Sequence, residues 1–229
     1  MLFAIDIDGT IAGISTLFGA YFNQQLGLGL TSEEAQRIRW YQHLRKHPAI
    51  IEYRKAHNER FLEVWTKYRE YAPAMLAREV IEGAVEGVNQ LSQWGDVQYV
   101  TIRISQDKEV NEQIQAATRQ WLREHHFPQP EQVSFCANFQ EKLTYVAHAN
   151  QDQVIFIDDR CSTDLFTCYQ DLLQNPGYKK LIAHLQQVIF VAFGKQELPE
   201  NTFGLRMFPL PSWSQSSDLL KELHIVRVL

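Results

Sequence analysis

The feature that most constrains the fold is an alternation of short apolar runs with amphipathic segments, which begins near residue 81. The runs cover 97–102, 133–136, 154–157 and 188–193. The segments before and between them carry apolar residues at helical spacing, such as Val85, Val88 and Leu91 in the first segment. Strands that alternate with helices in this way form βαβ units with a parallel sheet, and their crossovers are right-handed. The sequence therefore predicts an α/β fold with a Rossmann-like, doubly wound parallel sheet.

The chain also begins with a predicted strand, and this strand ends in acids. Its apolar run contains β-branched Ile5 and Ile7 and is closed by Gly9, which is typical of a buried strand entering a turn. Side chains two residues apart share a face, so Asp6 and Asp8 emerge together where open parallel sheets bind ligands. Adjacent carboxylates repel each other, and a hard cation such as Mg²⁺ stabilises both. An ordinary polar turn is the alternative interpretation.

Polar residues recur at the ends of the later strands and at the start of a helix predicted over 142–149. They are a hydroxyl, an ammonium and two carboxylates, supplied by Thr101, Lys142, Asp158 and Asp159. Because parallel strands end at the same sheet edge, these groups are predicted to meet the acids of the first strand in one crevice. A strand-forming threonine and a solvated helix lysine are the alternatives for Thr101 and Lys142.

Residues 13–80 differ from the rest because they are rich in Arg, Tyr and Trp and contain no convincing strand. The predicted helices of this segment cover 31–46, 49–71 and a shorter stretch after Pro73. We therefore predict two domains, an α/β core made of 1–12 and 81–229 and a helical cap of 13–80 inserted after the first strand. Within the core, the tail over 199–211 is predicted to be irregular.

Composition excludes several classes of protein. The formal net charge of -5 gives no electrostatic basis for binding a nucleic acid polymer. No apolar stretch approaches the ~20 residues of a membrane span, and the N-terminal run lacks the basic leader of a signal peptide. The three cysteines contain no CxxC pair, which argues against a disulfide framework and indicates a reducing compartment. We predict a cytoplasmic protein, and the sequence does not determine its oligomeric state.

The acidic strand ends resemble the motifs of a known family. Residues 6–10, Asp-Ile-Asp-Gly-Thr, resemble the first motif of the haloacid dehalogenase-like (HAD) superfamily. Thr101 and Lys142 resemble its second and third motifs, and residues 155–159 resemble its acidic fourth motif, in the right order along the chain. This resemblance implies the α/β core, with a helical cap in the place where residues 13–80 stand.

The resemblance also implies roles for the residues that match. Asp6 would be the nucleophile that forms an aspartyl-phosphate. Asp8 would be the general acid for the leaving alcohol and then the base for water, and an acid at this position separates phosphoryl chemistry from dehalogenation. Thr101 and Lys142 would hold the phosphoryl oxygens.

Mg²⁺ is the implied cofactor. The residues that the resemblance assigns to it, directly or through water, are Asp6, Asp8, Asp158 and Asp159. Asp8 would contribute its backbone carbonyl oxygen. Asp164 is an alternative to Asp158 for orienting metal-bound water, and it could equally cap the helix that follows it.

The implied activity is Mg²⁺-dependent hydrolysis of a small phosphomonoester. Residues 157–160, Ile-Asp-Asp-Arg, resemble the fourth motif of the 5'(3')-deoxyribonucleotidase branch, so a nucleoside monophosphate is a candidate substrate. The candidate substrate contacts are Gly9, Thr10, Phe18, Tyr21 and Arg103, and Arg37, Arg39 and Arg45 could hold a second anion. Aromatic residues of a helical insert are more often core residues. A phosphomutase and a catalytically idle binding module on the same fold are the alternative functions.

Overall fold

The structure is a computed structural model that describes residues 1–38 and 41–224. Its described strands are β1 Leu2–Ile5, β2 Ala12–Ser15, β3 Arg78–Val80, β4 Asp96–Thr101, β5 Val133–Phe135, β6 Val154–Asp158, β7 Ile189–Phe193 and β8 Arg206–Leu210. Its described α-helices are α1 Phe18–Leu26, α2 Ser32–Arg37, α3 Tyr41–Lys46, α4 Pro48–Arg69, α5 Ala72–Leu76, α6 Ala84–Ser92, α7 Lys108–Glu124, α8 Phe139–Ala147, α9 Asp164–Leu173, α10 Lys179–Leu185 and α11 Ser216–Glu222. Two short 3₁₀ helices cover Pro176–Tyr178 and Trp213–Gln215.

The chain divides into two compact units. The first unit contains Met1–Ala12, Val80–Ile102 and the chain from residue 122 onward, and the second contains Gly13–Glu79 and Arg103–Trp121. Most of α7 therefore belongs to the second unit, although the sequence analysis assigned the whole of 81–229 to the core.

The first unit is built on a six-stranded sheet with the order β5-β4-β1-β6-β7-β8, in which all neighbours are parallel. The chain moves outward from β1 through β4 to β5 and then returns to β6 on the other side of β1. The order thus reverses between β1 and β6, and the carboxyl edge at such a reversal is where open α/β sheets bind ligands. The predicted doubly wound parallel sheet is confirmed.

The central strands of this sheet are buried on both faces. Every residue of β1, β6 and β7 is buried, as expected for parallel strands that are covered by helices on each side. On one face, alternate strand residues pack with apolar residues of α8, α9 and α10. This core cluster includes Leu2, Ala4, Leu143, Phe156, Leu172, Leu185 and Phe190.

Two predictions about strands were wrong. The tail predicted as irregular contains β8, which pairs with β7 and includes Pro209. Pro209 is tolerated because β8 is the edge strand of the sheet, where a missing N–H leaves no partner unsatisfied on the open side. The insert predicted to lack strands contains most of β2 and β3, which pair with each other. These strands are four and three residues long, too short for a readable alternation.

The second unit is mainly helical and has a core of its own. The predicted start of α2 is confirmed, because Thr31 and Glu34 form a reciprocal capping box. The predicted continuous helix over 31–46 is wrong, since Ile38 leaves the helical region at φ -84° and ψ 82° and α3 begins at Tyr41. The core is an aromatic cluster that includes Phe18, Phe22, Phe61 and Tyr68.

Two further predictions concern disulfide bonds and membrane-spanning helices. The three cysteines, Cys136, Cys161 and Cys168, are free thiols. Among the described helices, none has the length and apolar character needed to cross a membrane.

Candidate active site

Two acids lie side by side where the central strands of the sheet end, Asp6 directly after β1 and Asp158 as the last residue of β6. Ile5 of β1 is in register with Ile157 of β6, and the backbone N–H of Asp6 donates a hydrogen bond of 2.9 Å to the Ile157 carbonyl. This pairing brings the Asp6 and Asp158 side chains to the carboxyl edge together. Both residues are buried, at 3% and 0% exposure. The sheet register therefore creates a pair of buried carboxyl groups at the reversal point.

Lys142 places a positive charge between these acids. Its helix, α8, begins at Phe139 because the Asn138 side chain accepts a hydrogen bond of 2.9 Å from the Glu141 backbone N–H. The Lys142 ammonium donates to Asp158 Oδ2 at 2.7 Å and to Asp6 Oδ1, and the lysine side chain is 1% exposed. The predicted helix start at 142 was three residues late, since the cap at Asn138 was not recognised. The predicted proximity of Lys142 to the strand-end acids is confirmed.

The turn after β1 brings a third acid to the same place. Gly9 has a φ of +88°, and a Cβ atom at this position would lie 2.5 Å from Asp159 Oδ2. Only glycine both adopts this backbone conformation readily and leaves the space that the Asp159 carboxylate occupies. The buried Thr10 hydroxyl donates to Asp6 Oδ2 at 3.2 Å and accepts from the Asp159 backbone N–H at 3.1 Å. Thr10 thus links the two acids, while Gly9 makes room for one of them.

The remaining residues of the predicted crevice are Asp8 and Thr101. Asp8 is half-buried, and its backbone forms a bridge with Ala12. Thr101 ends β4 and is fully buried, and its hydroxyl has no hydrogen-bond partner among the described residues. A buried polar group without a partner is costly, so such a hydroxyl suits an external acceptor such as a phosphoryl oxygen.

Three of these acids form a group that fits a divalent cation. Asp6, Asp158 and Asp159 each offer a carboxylate oxygen, and these oxygens lie within 4.8 Å of one another. Asp159 Oδ1 is buried and lacks a hydrogen-bond partner within the described part of the chain. Asp6 and Asp158 share the Lys142 ammonium, and the carboxyl group of Asp159 lies beside them. A divalent cation would offset the repulsion among these acids, and its preferred ligands are oxygens of this kind. The residues present therefore fit Mg²⁺.

The ionisation of the group reflects its burial. Burial raises the pKa of Asp6 to about 8, with Lys142 opposing the rise and Asp158 and Asp8 adding to it. Burial and then Asp158 raise the pKa of Asp159 to about 6. Burial would lower the pKa of Lys142, but Asp6 and Asp158 outweigh it, and the pKa is raised above its usual value. Lys142 therefore stays an ammonium, and cation binding, which requires ionised ligands, would lower the pKa values of Asp6 and Asp159.

The two acids that the sequence left open for assisting the cation lie in different surroundings. The Asp164 carboxylate pairs with the Arg160 guanidinium and accepts a hydrogen bond of 3.2 Å from the Thr163 hydroxyl. The Asp158 carboxylate instead belongs to the group of three acids, and it accepts a hydrogen bond of 2.7 Å from the Arg160 backbone N–H. Asp158 is thus the acid that lies beside Asp6, whereas Asp164, the first residue of α9, forms an ion pair with Arg160.

Three predicted substrate contacts belong to the second unit. Phe18 is 5% exposed, and its ring lies edge-on against Tyr68 at 5.0 Å, so it is a core residue rather than an exposed stacking surface. Tyr21 is half-buried, and its ring lies 5.1 Å from Tyr68. The Arg103 guanidinium contacts Met75 Sδ within the same unit.

Two of the three arginines predicted to hold a second anion, Arg37 and Arg45, lie on different helices of the second unit. Arg37 is exposed and pairs with Glu33 inside α2, and Arg45 lies in α3. Arg39 lies outside the described residues.

Two residues that shape the site were not predicted. Asn138 was detectable, because Asn followed three residues later by Glu is a helix-start pattern. Trp213 was not, since it lies in a 3₁₀ helix after the tail that the sequence analysis predicted as irregular, and no spacing connects it to the acids. Its indole N–H donates to the Thr10 carbonyl at 2.7 Å.

Comparison with known proteins finds similarity in structure and none in sequence. No protein-family profile matches the chain, and no curated protein matches its sequence. A haloacid dehalogenase-like family hydrolase from Xanthomonas campestris matches with a TM-score of 0.50 at 15% identity, covering 97% of this chain and 95% of that one. A protein from Burkholderia xenovorans LB400, assigned as a haloacid dehalogenase-like hydrolase, matches with a TM-score of 0.51 at 12% identity, covering 98% of both chains. A protein from Clostridium difficile assigned as a phosphatase matches with a TM-score of 0.51 at 17% identity, covering 96% of this chain and 97% of that one.

The fold and the site together define an α/β protein with a carboxylate group at the reversal point of a doubly wound sheet. At these levels of identity the structural likeness establishes the fold. The chain has the fold of the haloacid dehalogenase-like hydrolases, as the four sequence motifs predicted.

Proposed function

We propose that this protein is a Mg²⁺-dependent phosphomonoester hydrolase that acts through an aspartyl-phosphate on a small phosphorylated metabolite. The observation that carries the proposal is the buried ammonium of Lys142, which is shared by Asp6 and Asp158. A charge group of this kind is costly to bury and is typical of sites that handle charged substrates. The fold shared with hydrolases and the order of the four motifs support the same function.

In the first half of the reaction, a carboxylate oxygen of Asp6 attacks the phosphorus atom. The bond from phosphorus to the leaving oxygen breaks, and protonated Asp8 gives its proton to that oxygen, so that an alcohol leaves. An ammonium group has three N–H donors. Lys142 uses two of them on Asp6 and Asp158 and keeps one for a phosphoryl oxygen. The unpartnered hydroxyl of Thr101 would be a second donor.

In the second half, the ionised Asp8 takes a proton from water. The water oxygen attacks the phosphorus atom of the aspartyl-phosphate, inorganic phosphate leaves, and the Asp6 carboxylate is restored. The cycle consumes one water molecule and needs no other reactant.

Asp6, Asp158 and Asp159 would hold the Mg²⁺, together with the backbone carbonyl that the family resemblance assigns to Asp8. When bound, Mg²⁺ supplies positive charge that stabilises the transferring phosphoryl group. The fit rests on the group of three carboxylates and on the unpartnered Asp159 oxygen.

The finer features of the function also belong to this proposal. A nucleoside monophosphate is the first substrate to test, because of the resemblance of residues 157–160 to the deoxyribonucleotidase motif. Residues 13–80 would form a cap domain that selects the substrate, with Tyr21 as a contact, and their separate aromatic core supports a domain of this kind. The free thiols support a reducing compartment such as the cytoplasm.

The proposal is tested by measuring phosphate release from p-nitrophenyl phosphate, nucleoside monophosphates and sugar phosphates, with and without Mg²⁺. We expect Mg²⁺-dependent release that falls by at least about 10³-fold in Asp6→Asn, since the variant lacks the nucleophile. Asp171→Asn makes the same chemical change at an exposed position of α9 and should keep the wild-type rate.

Two outcomes would contradict the proposal. If no compound is hydrolysed faster by the wild type than by Asp6→Asn, the protein is not a phosphatase and the binding-module alternative gains support. If phosphate moves between two positions of a sugar without net release, the protein is a phosphomutase.

A further inference from the structure

Trp213 connects the C-terminal segment of the first unit to the turn that follows β1. Its indole N–H donates a hydrogen bond of 2.7 Å to the backbone carbonyl of Thr10. Trp213 is 1% exposed and Thr10 is 0% exposed, so water does not compete for this bond. The bond joins residues that are 203 positions apart in the chain.

Thr10 in turn forms hydrogen bonds with two of the acids. Its hydroxyl donates to Asp6 Oδ2 at 3.2 Å and accepts from the Asp159 backbone N–H at 3.1 Å. The position of the Thr10 backbone determines where this hydroxyl lies. A donor that fixes the Thr10 carbonyl therefore also fixes the carboxyl group proposed as the nucleophile and the backbone of a proposed cation ligand.

Trp213 is itself held from several sides. A Cβ atom on Gly87 of α6 would lie 2.6 Å from the indole, so the absence of a side chain there lets α6 pack directly on the ring. The Phe193 ring, at the end of β7, lies 5.4 Å from the indole. The Ser216 hydroxyl, three residues after Trp213, donates to Gln90 of α6 at 2.8 Å. The indole N–H is thus presented from a fixed position.

We propose that Trp213 is a positioning residue, which acts through Thr10 to hold Asp6 and Asp159 in the geometry that phosphoryl transfer and cation binding require. The kinetic part of this inference rests on the proposed function, but the cation-binding part can be measured without any substrate. Outer partners of metal ligands and reacting groups commonly influence affinity or rate by about 10- to 100-fold. Trp213 is an outer partner of this kind for Asp6 and Asp159, because Thr10 contacts both acids and Trp213 contacts Thr10.

The test uses Trp213→Phe in the full chain, because this variant keeps an aromatic ring and removes the N–H donor. We expect kcat for phosphate release to fall by about 10-fold or more, while KM changes little, since Trp213 orients the proposed nucleophile. We also expect the dissociation constant for Mn²⁺, measured by electron paramagnetic resonance without substrate, to rise by about 10-fold.

Trp121→Phe is the matched control. Trp121 is equally buried, and its indole N–H donates to the Arg78 carbonyl at 3.1 Å within the second unit. The Tm of this control should fall by about as much as that of Trp213→Phe, while its Mn²⁺ dissociation constant should stay at the wild-type value. If Trp213→Phe behaves in the same way, with kcat and Mn²⁺ affinity unchanged, Trp213 is a structural residue and the inference is overturned.

A double-mutant cycle tests the route through Thr10. If Trp213 acts through the Thr10 hydroxyl, Trp213→Phe should weaken Mn²⁺ binding much less in a Thr10→Val background than in the wild type. Additive losses would overturn this route. Should Trp213→Phe fail to fold, benzothienylalanine at position 213 removes the N–H and keeps the two-ring shape, with the same expectations.

The outcomes separate this inference from the proposed function. A wild type that binds Mn²⁺ and hydrolyses no phosphate ester contradicts the function, while the Mn²⁺ affinities still decide the role of Trp213. An active wild type with unchanged Trp213→Phe values overturns the inference alone. A wild type that neither binds Mn²⁺ nor hydrolyses any ester overturns both.

Discussion

Two regions of the molecule pair carboxylates with cationic side chains in opposite surroundings. On the helices of the second unit, Lys55 and Glu52 form an ion pair whose side chains are 67% and 76% exposed. At the carboxyl edge of the sheet, the Lys142 side chain is 1% exposed, and those of Asp6 and Asp158 are 5% and 0% exposed. The chemical groups are alike, and the solvent around them differs.

This difference changes what an ion pair indicates. Exposed pairs contribute little to stability, because water screens the charges and the side chains lose freedom when they pair. Buried charges must be removed from water, so a buried pair is weak evidence for stability and is a reason to look for a function. The pKa values of acids in the two regions shift in opposite directions. Hydrogen bonds from Lys67 and then Arg60 lower the pKa of exposed Glu63 to about 2, whereas burial raises that of Asp6 to about 8.

The largest effect on stability that we expect from this comparison is that of Lys142→Met. The variant leaves Asp6 and Asp158 buried without their shared ammonium, which should reduce the free energy of unfolding by about 3–5 kcal/mol at pH 8. The loss should be smaller at pH 5, because Asp6, whose pKa is about 8, is then protonated and carries no unpaired charge. Urea unfolding at both pH values measures it.

Lys55→Met is the matched control for this variant, since it makes the same substitution in an exposed pair. Its free energy of unfolding should change by no more than about 0.5 kcal/mol at either pH. Equal small losses for both lysines would show that the buried pair behaves like a surface pair, and the comparison would fail.

Addition of Mg²⁺ should stabilise the buried region in a way that depends on pH. At a Mg²⁺ concentration 100 times the dissociation constant, one site adds about 2.7 kcal/mol to the free energy of unfolding. We expect a smaller gain at pH 5.5 than at pH 7.5, because Asp159, with a pKa of about 6, must lose its proton to act as a ligand. Thermal unfolding with and without Mg²⁺ measures the gain. A gain that does not change with pH, or that persists in Asp159→Asn, would contradict the cation site.

The smallest expected effect is the pH dependence that Asp159 contributes in EDTA. Its pKa is about 6 in the folded protein and 3.8 in the reference state, so between these values the folded state binds more protons than the unfolded state. The contribution of Asp159 to stability is therefore present below pH 3.8 and is lost as the pH rises through 6. Relative to Asp159→Asn, the wild type should lose on the order of 2 kcal/mol between pH 4 and pH 8. Chemical unfolding of both proteins across this range tests the sign, and a difference that grows in favour of the wild type would refute it.

Most of the central sheet was predictable because its strands are short, apolar and separated by helical patterns. The first unit's missed strand, β8, contains Pro209, and proline normally argues against a strand unless the strand lies at an edge. Which strand is an edge depends on the order of the whole sheet. Phe18 shows the same limit in the second unit. An aromatic residue beside a motif can be a substrate contact, although it is more often a core residue, and the burial of Phe18 in the structure shows that it is a core residue.

The sequence by itself determined that Asp6, Thr101 and Asp158 stand at the ends of parallel strands, because strand periodicity and the parallel order require these ends to share one edge. Only the tertiary structure decided how the groups contact each other. Lys142 lies 136 residues from Asp6, and Trp213 lies 203 residues from Thr10. Local patterns describe residues that are close in the chain, whereas these contacts depend on the packing of α8 and of the C-terminal segment against the sheet. The position of the acids at the sheet edge could therefore be predicted from the sequence, whereas the hydrogen bonds that hold them there could not.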